Sequence, residues 1–129
     1  IRDRIRGLLC EIDGVELAGE AGDVRGVVSG LLKARPDVLI LDIRMPDGNG
    51  LDVLRQAKNG SRAPAVIILT NYSFPEYRER AKSLGADYFF DKSMEFEQVE
   101  GVLRRLVEEQ RNEATGVRPR GEPASQEPR

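Results

Sequence analysis

Three polar side chains stand where apolar segments of this chain end: Asp42, Thr70 and Lys92. A carboxylate can act as a nucleophile or as a metal ligand. A lysine supplies positive charge to phosphate oxygens, and a threonine hydroxyl can donate a hydrogen bond to them. Taken singly, Asp42 is equally well explained as a solvent-facing acid, whereas Lys92 is better explained as a solvated side chain and Thr70 as one that satisfies the backbone. In combination and in this order, they favour chemistry on a phosphoryl group.

The segments that carry these residues have the composition of buried strands. They are Val38–Leu41 before Asp42, Ala65–Thr70, and Asp87–Phe90 before Lys92. Because the carboxyl ends of parallel strands lie at one edge of a sheet, we expect the three polar side chains to meet there.

Helical patterns separate these strands. They cover Ile1–Ile12, a helix capped by Asp23 with Val24, Val27, Val28, Leu31 and Leu32 on one face, Leu51–Ala57, Pro75–Leu84, and Phe96–Leu106. Gly14 and Gly85 are expected to stop helices, 48–50 to form a loop, and Val15–Gly19 to add a short strand. Alternating strands and helices predict an α/β fold with a doubly wound parallel sheet.

Composition narrows the class of protein. The 129 residues carry a net charge of −2, so nothing in the charge suggests nucleic-acid binding. No apolar stretch is long enough to span a membrane, which makes a cytoplasmic protein the expectation. The sequence has no histidine, and its single cysteine, Cys10, is expected in the core. Residues 1–110 are predicted to form one domain, and the Pro/Gly-rich segment 111–129 a disordered tail.

Three sequence segments carry a family resemblance: LDIRMPDGNGLDVL around Asp42, AVIILTN with Thr70, and GADYFFDKS with Lys92. From Ile1 to about Gln110 the chain resembles a response-regulator receiver domain, the phospho-accepting half of two-component signalling. The resemblance implies a flavodoxin-like (βα)5 fold. It also implies that the protein is not an enzyme, but a stand-alone receiver.

The resemblance assigns roles to individual residues. Asp42 would accept a phosphoryl group from a histidine kinase or phosphotransfer protein. Thr70 would be the switch hydroxyl, Lys92 would contact the phosphoryl group, and Phe89 would be the aromatic that follows the switch. The face formed by the fourth helix, the last strand and the fifth helix would then bind a downstream protein or a second copy of the chain. Direct contact with nucleic acid or a membrane is not expected.

A magnesium ion is also implied, with Asp42 and the backbone carbonyl of Arg44 as ligands. Receivers begin with a strand that ends in an acidic pair, whereas here nothing precedes the first helix. We therefore expect that the first strand is missing, that Mg²⁺ binds weakly, and that phosphorylation of this chain is poor. Asn71 beside the acceptor replaces a smaller residue and is expected to tune the phosphoryl lifetime. Ser93 replaces a proline that many relatives carry.

Other classes of protein remain open. One is a pseudo-receiver, an interaction module that is not phosphorylated, and another is the receiver fragment of a DNA-binding transcriptional regulator. A hydrolase like the haloacid dehalogenases would need a second aspartate two residues after the first, where Arg44 stands. A nucleotide-binding protein would need a G-K-[S/T] after the glycine-rich loop, which is absent.

Overall fold

The computed structural model describes residues 2–60 and 63–114, with side chains for 4–60 and 63–111. Its elements are α1 (Arg2–Cys10), α2 (Val24–Ala34), β1 (Val38–Leu41), β2 (Arg44–Met45), β3 (Gly48–Asn49), α3 (Gly50–Ala57), β4 (Ala65–Thr70), α4 (Pro75–Ser83), β5 (Tyr88–Asp91) and α5 (Gln98–Ala114). They fall into two compact units. One contains α1 and α5, and the other contains α2 to α4 with all the strands.

The larger unit is built on a parallel sheet with the strand order β1-β4-β5. Leu41 of β1 is in register with Ile68 of β4, and Thr70 of β4 is in register with Asp91 of β5. The predicted parallel α/β sheet is thereby confirmed, although β5 begins and ends one residue later than predicted. Because β4 is the central strand, its side chains from Val66 to Thr70 are buried on both faces.

The helices of this unit supply the apolar cover for one core cluster. Val66 and Ile68 of β4 belong to this cluster together with Val53 and Leu54 of α3 and Ala81 of α4. The inward face of α2 packs against the same cluster through Val24, Val27, Val28 and Leu31. Burial of this apolar surface, rather than helix propensity, holds the helices on the sheet.

Several helix predictions need correction. Leu32 was expected on the inward face of α2, but it is 77% exposed because the helical period carries it past the half-buried stripe that contacts the core. Cys10 was expected in the core and is exposed at the last position of α1, whereas Leu9 and Ile12 are buried. The helix α5 runs to Ala114, into the segment predicted to be disordered. Residues 115–129, which complete that predicted tail, lie outside the described part of the chain.

The segment Val15–Gly19 does not form the predicted strand. Its side chains are mostly exposed, with Leu17 at 45% exposure. A strand requires a hydrogen-bonded neighbour, and none pairs with this segment among the residues that the structure describes. The short alternating pattern of this segment was therefore not sufficient to predict a strand, because strand formation depends on a pairing neighbour as well as on local composition.

The loop predicted at 48–50 is instead part of a small hairpin. Strands β2 and β3 pair antiparallel, with Arg44 opposite Asn49. The chain then turns directly into α3, whose first turn is capped by the Asn49 side chain, which accepts a hydrogen bond from the Leu51 amide at 2.7 Å. At Gly50 the backbone passes very close to the Asp42 carbonyl: a Cβ atom there would lie only 1.9 Å from that oxygen.

The turn of this hairpin also holds the start of α2. The Asp47 carboxylate accepts hydrogen bonds from the amides of Val24, at 2.7 Å, and Arg25, at 3.2 Å. The predicted cap Asp23 accepts a third bond, from the Gly26 amide. Two aspartates therefore satisfy amides that a helix start leaves without partners. The bond from the Val24 amide is the main cause that lowers the pKa of Asp47.

The amino ends of the strands are fixed by a second polar cluster. Lys58, at the end of α3, donates to the Asp87 carboxylate and to the Pro64 carbonyl, both at 2.7 Å. The same Asp87 oxygen accepts the Val66 amide at 2.8 Å. Gly85, the predicted end of the helix α4, has a φ of +103°. At this residue the chain leaves α4 and passes next to the Lys58 side chain.

No helix within residues 2–60 and 63–114 is long and apolar enough to cross a lipid bilayer.

Replacing Gly50 by alanine is expected to lower the free energy of unfolding by about 1–3 kcal/mol, because the new methyl group would collide with the Asp42 backbone. Urea unfolding followed by circular dichroism would measure this change. The matched control is Gly30→Ala. Gly30 lies in the interior of α2, where an added methyl group would have no neighbour within 4 Å, so the control should gain about 0.5–1 kcal/mol. Equal stability of the two variants would contradict the predicted collision.

The Asp47 cap predicts a pH-dependent contribution to stability. A carboxyl group whose folded pKa is lowered stabilises the fold above its unfolded pKa, and this contribution is lost as the pH falls through the folded pKa. The wild-type protein should therefore keep its stability advantage over Asp47→Asn above about pH 4, the usual pKa of an unfolded aspartate, and lose it progressively as the pH falls below that value. Urea unfolding of both proteins across this range would test it, and an advantage that stays constant would contradict the assignment.

Candidate functional site

The predicted acceptor, Asp42, lies directly after β1 at the carboxyl edge of the sheet. One of its carboxylate oxygens accepts the Ile43 amide at 2.7 Å, and the other accepts the Lys92 ammonium group at 2.7 Å. The Asp42 side chain is 33% exposed and Lys92 is 12% exposed. The ammonium group is thus held by the carboxylate in a partly desolvated place, and the carboxylate remains open to solvent.

The predicted switch residue, Thr70, is the last residue of β4 and is fully buried. Its hydroxyl accepts the Tyr72 amide at 3.0 Å, a local bond that turns the chain out of the strand. Its carbonyl accepts the Lys92 amide at 2.8 Å. Lys92 is therefore bonded to both other members of the predicted set: its ammonium group to Asp42 and its amide to Thr70. The parallel sheet brings the three residues to one edge, as the sequence predicts.

Asn71 lies in the loop after β4 and is exposed. Its side-chain oxygen is 3.4 Å from the Ser93 hydroxyl in the loop that follows Lys92. Ser93 replaces the proline expected from the resemblance, and no cis peptide bond occurs in the described chain. The effect of Asn71 on the lifetime of a phosphoryl group stays a prediction.

The aromatic residue Phe89 is half-buried on β5. Its neighbours Tyr88 and Phe90 point to the opposite face, where their rings stack with centroids 6.1 Å apart. The Arg78 guanidinium group of α4 lies over the Phe89 ring, 4.6 Å from its centroid, and donates to the Phe89 carbonyl at 3.2 Å. Arg78 therefore covers Phe89 from the side of α4 and couples the helix to the strand.

Arg44, whose carbonyl was predicted as a metal ligand, begins the small hairpin after Asp42. Its guanidinium group lies over the Tyr72 ring at 4.9 Å from the centroid. This contact joins the loop after β1 to the loop after β4. Sequence reasoning missed it, because Arg44 and Tyr72 are far apart in the chain and no local pattern links them.

Asp91, the residue before Lys92, is the centre of a further polar cluster at this edge. Its carboxylate accepts the Ser73 hydroxyl at 2.5 Å and the amides of Ser93 and Met94 at 2.8 and 2.9 Å. The Ser73 bond is the main cause that lowers the pKa of Asp91. The Asp91 amide in turn donates to the Glu95 carboxylate at 2.8 Å. The only signal in the sequence was the Asp-x-Ser spacing, which is typical of an aspartate-stabilised turn.

The described residues do not by themselves fit a magnesium site. Magnesium requires near-octahedral oxygen coordination. Among side chains of residues 4–60 and 63–111, no group of three or more acidic, cysteine or histidine residues could hold a metal ion. Asp42 offers one carboxylate, and both of its oxygens already accept hydrogen bonds. The roles of Asp42 and the Arg44 carbonyl as metal ligands stay predictions, and no step below depends on the metal.

This arrangement suits the capture of an anionic group. The accessible Asp42 carboxylate can act as a nucleophile, because a carboxylate oxygen attacks with a lone pair and has no proton for a general base to remove. The ammonium group of Lys92 lies within hydrogen-bond distance of the Asp42 carboxylate. It can move to donate hydrogen bonds to an anionic group that becomes attached to Asp42. Thr70 offers a hydroxyl at the end of the neighbouring strand.

Proteins of related sequence include a transcriptional regulator and an enzyme, and both are longer than this chain. It is 32% identical over 123 residues to the transcriptional regulatory protein BtsR of Salmonella typhi, an alignment that covers 95% of this chain and 50% of that protein. It is 34% identical over 113 residues to a protein-glutamate methylesterase/protein-glutamine glutaminase of Alkalilimnicola ehrlichii, covering 82% of this chain and 29% of that enzyme. The chain thus spans half or less of the length of these relatives.

Solved structures support the same fold. A CheY-like response regulator receiver domain from Methanospirillum hungatei superposes with a TM-score of 0.76 at 21% identity, covering 88% of this chain and 89% of that one. The predicted flavodoxin-like receiver fold is therefore confirmed.

The family described as "Response regulator receiver domain" matches residues 1–104 of the 129-residue chain. The match includes Asp42, Thr70 and Lys92. The chain belongs to the response-regulator receiver domain family of two-component systems.

Proposed function

We propose that this chain accepts a phosphoryl group on the Asp42 carboxylate from a histidine kinase or phosphotransfer protein, and that the modification changes a protein-interaction face. The observation that carries the proposal is the Asp42–Lys92 ion pair, at 2.7 Å and open to solvent on the carboxylate side. Receiver domains act with histidine kinases and output domains, and they typically bind Mg²⁺.

In the proposed transfer, one Asp42 oxygen forms a bond to phosphorus while the bond from phosphorus to the donor's imidazole nitrogen breaks. The electron pair of the breaking bond stays on the imidazole, and the product on this chain is an acyl phosphate. Lys92 moves its hydrogen bond from the carboxylate to the phosphoryl oxygens and offsets the charge that they add. A reactive side chain already paired with a cation needs little rearrangement to hold the product.

The proposed switch follows from Thr70. Its hydroxyl now accepts the Tyr72 amide, and the same hydroxyl would have to leave that bond to reach a phosphoryl oxygen on Asp42. The loop after β4 would then rearrange, and Phe89 with its Arg78 cover would respond on the α4–β5 face. This is a shift between two populations and not a rigid lever.

The proposed face for a downstream partner includes α4 and β5. Phe89 is half-buried there under Arg78, so a change in its position alters both the apolar surface and the charge that a partner meets. The proposal also includes two predictions made from the sequence. The chain forms a homodimer through this region, and it does not bind nucleic acid directly.

Phosphorylation of Asp42 is tested by intact mass after incubation with acetyl phosphate, with and without magnesium. The wild-type chain should gain one phosphoryl group, with low efficiency because the described residues do not complete a magnesium site, and Asp42→Asn should gain none. The matched control is Asp52→Asn, an exposed acid on α3 that should be labelled like the wild type. A folded wild-type chain that stays unlabelled would instead favour an interaction module that works without phosphorylation. Equal labelling of Asp42→Asn would place the acceptor elsewhere.

The switch is tested with Thr70→Ala, which should still be labelled on Asp42 but should lose the response of the loop after β4. Loss of the hydroxyl also leaves the Tyr72 amide without its partner, at a cost of about 1 kcal/mol in stability. Hydrogen exchange across residues 70–90, with and without acetyl phosphate, would measure the response. Thr70→Ser keeps the hydroxyl and is expected to retain it. A full response in Thr70→Ala would rule out the route through Thr70.

A further inference from the structure

The loop after β4 and the loop after β5 are tied to each other away from the acceptor. Two hydrogen bonds make this tie: a long one from the Ser93 hydroxyl to the Asn71 side-chain oxygen, at 3.4 Å, and a short one from the Ser73 hydroxyl to the Asp91 carboxylate, at 2.5 Å. We call the short bond the latch. Ser73 lies three residues after Thr70, and Asp91 lies one residue before Lys92. The latch therefore joins the segments that carry two members of the site without touching Asp42.

The Asp91 end of the latch is a fixed anchor. Its carboxylate is oriented by two backbone amides, those of Ser93 and Met94. Its own amide and carbonyl are bonded to the Glu95 carboxylate and amide, both at 2.8 Å. Because the backbone on either side of Asp91 is held in this way, the carboxylate cannot follow Ser73 if the loop after β4 moves.

The Ser73 end of the latch belongs to the segment that must move. Between Thr70 and α4, the loop is held by two short hydrogen bonds, the Thr70 hydroxyl at the Tyr72 amide and the latch one residue further on. Two looser contacts add to them, Asn71 with Ser93 at 3.4 Å and the Arg44 guanidinium group over the Tyr72 ring. Release of the Thr70 hydroxyl from Tyr72 leaves the latch as the remaining short hydrogen bond. A hydrogen bond to an ionised carboxylate is about twice as strong as a neutral one, so this restraint is the stronger of the two.

We infer that the Ser73–Asp91 latch holds the loop after β4 in its resting arrangement and so sets the fraction of molecules that is ready to be phosphorylated. The inference rests on the proposed function, because it concerns the regulation of the same site. Ser73 and Asp91 are positioning residues, because both act on Asp42 through the Thr70 and Lys92 segments. Weakening the latch raises the ready fraction, and labelling that proceeds from that fraction becomes faster.

The test compares Ser73→Ala with Ser83→Ala. Ser83 also donates its hydroxyl to an oxygen, the Arg80 carbonyl at 3.0 Å, but it lies at the far end of α4 and joins no loops. Ser73→Ala should be labelled by acetyl phosphate about tenfold faster than the wild type. It should also exchange the amides of residues 71–74 about tenfold faster without any phosphoryl donor. Ser83→Ala should match the wild type in both measurements, and Ser73→Thr, which keeps a hydroxyl, should restore the wild-type values.

The two measurements separate the inference from the proposed function. If the wild type is labelled on Asp42 but Ser73→Ala is labelled and exchanges like Ser83→Ala, the latch is overturned and the proposed function stands. If Ser73→Ala exchanges faster but is labelled no faster, the latch restrains the loop without regulating the site, and the inference again fails. If no variant is labelled although all are folded, both the proposed function and its regulation are wrong.

Discussion

The contact on which the site depends is the ion pair between Asp42 and Lys92. It joins the end of β1 to the residue after β5, the two outer strands of the sheet, with Thr70 of β4 between them. The pair is only partly exposed, so its two charges offset each other's loss of hydration. Any group that adds negative charge to Asp42 must compete for the same ammonium group, and the neighbouring loops must then accommodate a new position of Lys92.

Backbone geometry fixes one partner of this pair more firmly than the other. Asp42 is confined by Gly50, whose missing side chain lets α3 start against the Asp42 carbonyl. The hairpin between these residues is fixed in turn by Asp47 at the start of α2. Lys92, in contrast, is a long side chain in a loop that polar side chains hold together. The acceptor is therefore rigid, and the parts free to rearrange are the Lys92 side chain and the loop after β4.

Much of this arrangement could be read from local sequence. Apolar runs that end in Asp42, Thr70 and Lys92 predicted three parallel strands and their common edge, because burial on both faces leaves a continuous apolar pattern. What local sequence missed depends on contacts between distant segments. Val15–Gly19 has a strand-like pattern but no paired neighbour in the described chain, and Cys10 has apolar neighbours in sequence but an exposed position in space.

The candidate site shows the same division between what local sequence predicts and what it misses. The residue types at the strand ends were predicted, whereas the contacts that join the loops, such as Ser73 with Asp91, were not. Such pairs leave no periodic pattern in the sequence. Each is one contact between two loops, and the sheet rather than the local sequence brings those loops together.

The cluster of Lys58, Asp87 and Pro64 makes the charged groups at the amino ends of the strands differ from those at the carboxyl edge. At the amino ends, the charged pair is shared with a backbone amide and a carbonyl, so each charge is committed to several fixed partners. At the carboxyl edge, the Lys92 ammonium group has one partner among the described side chains, the carboxylate of the proposed acceptor Asp42. The amino ends of β4 and β5 are thus held by several bonds each, whereas one ion pair joins Asp42 to Lys92. In the proposed transfer only that ion pair has to be exchanged, so the strands can keep their register while the site changes.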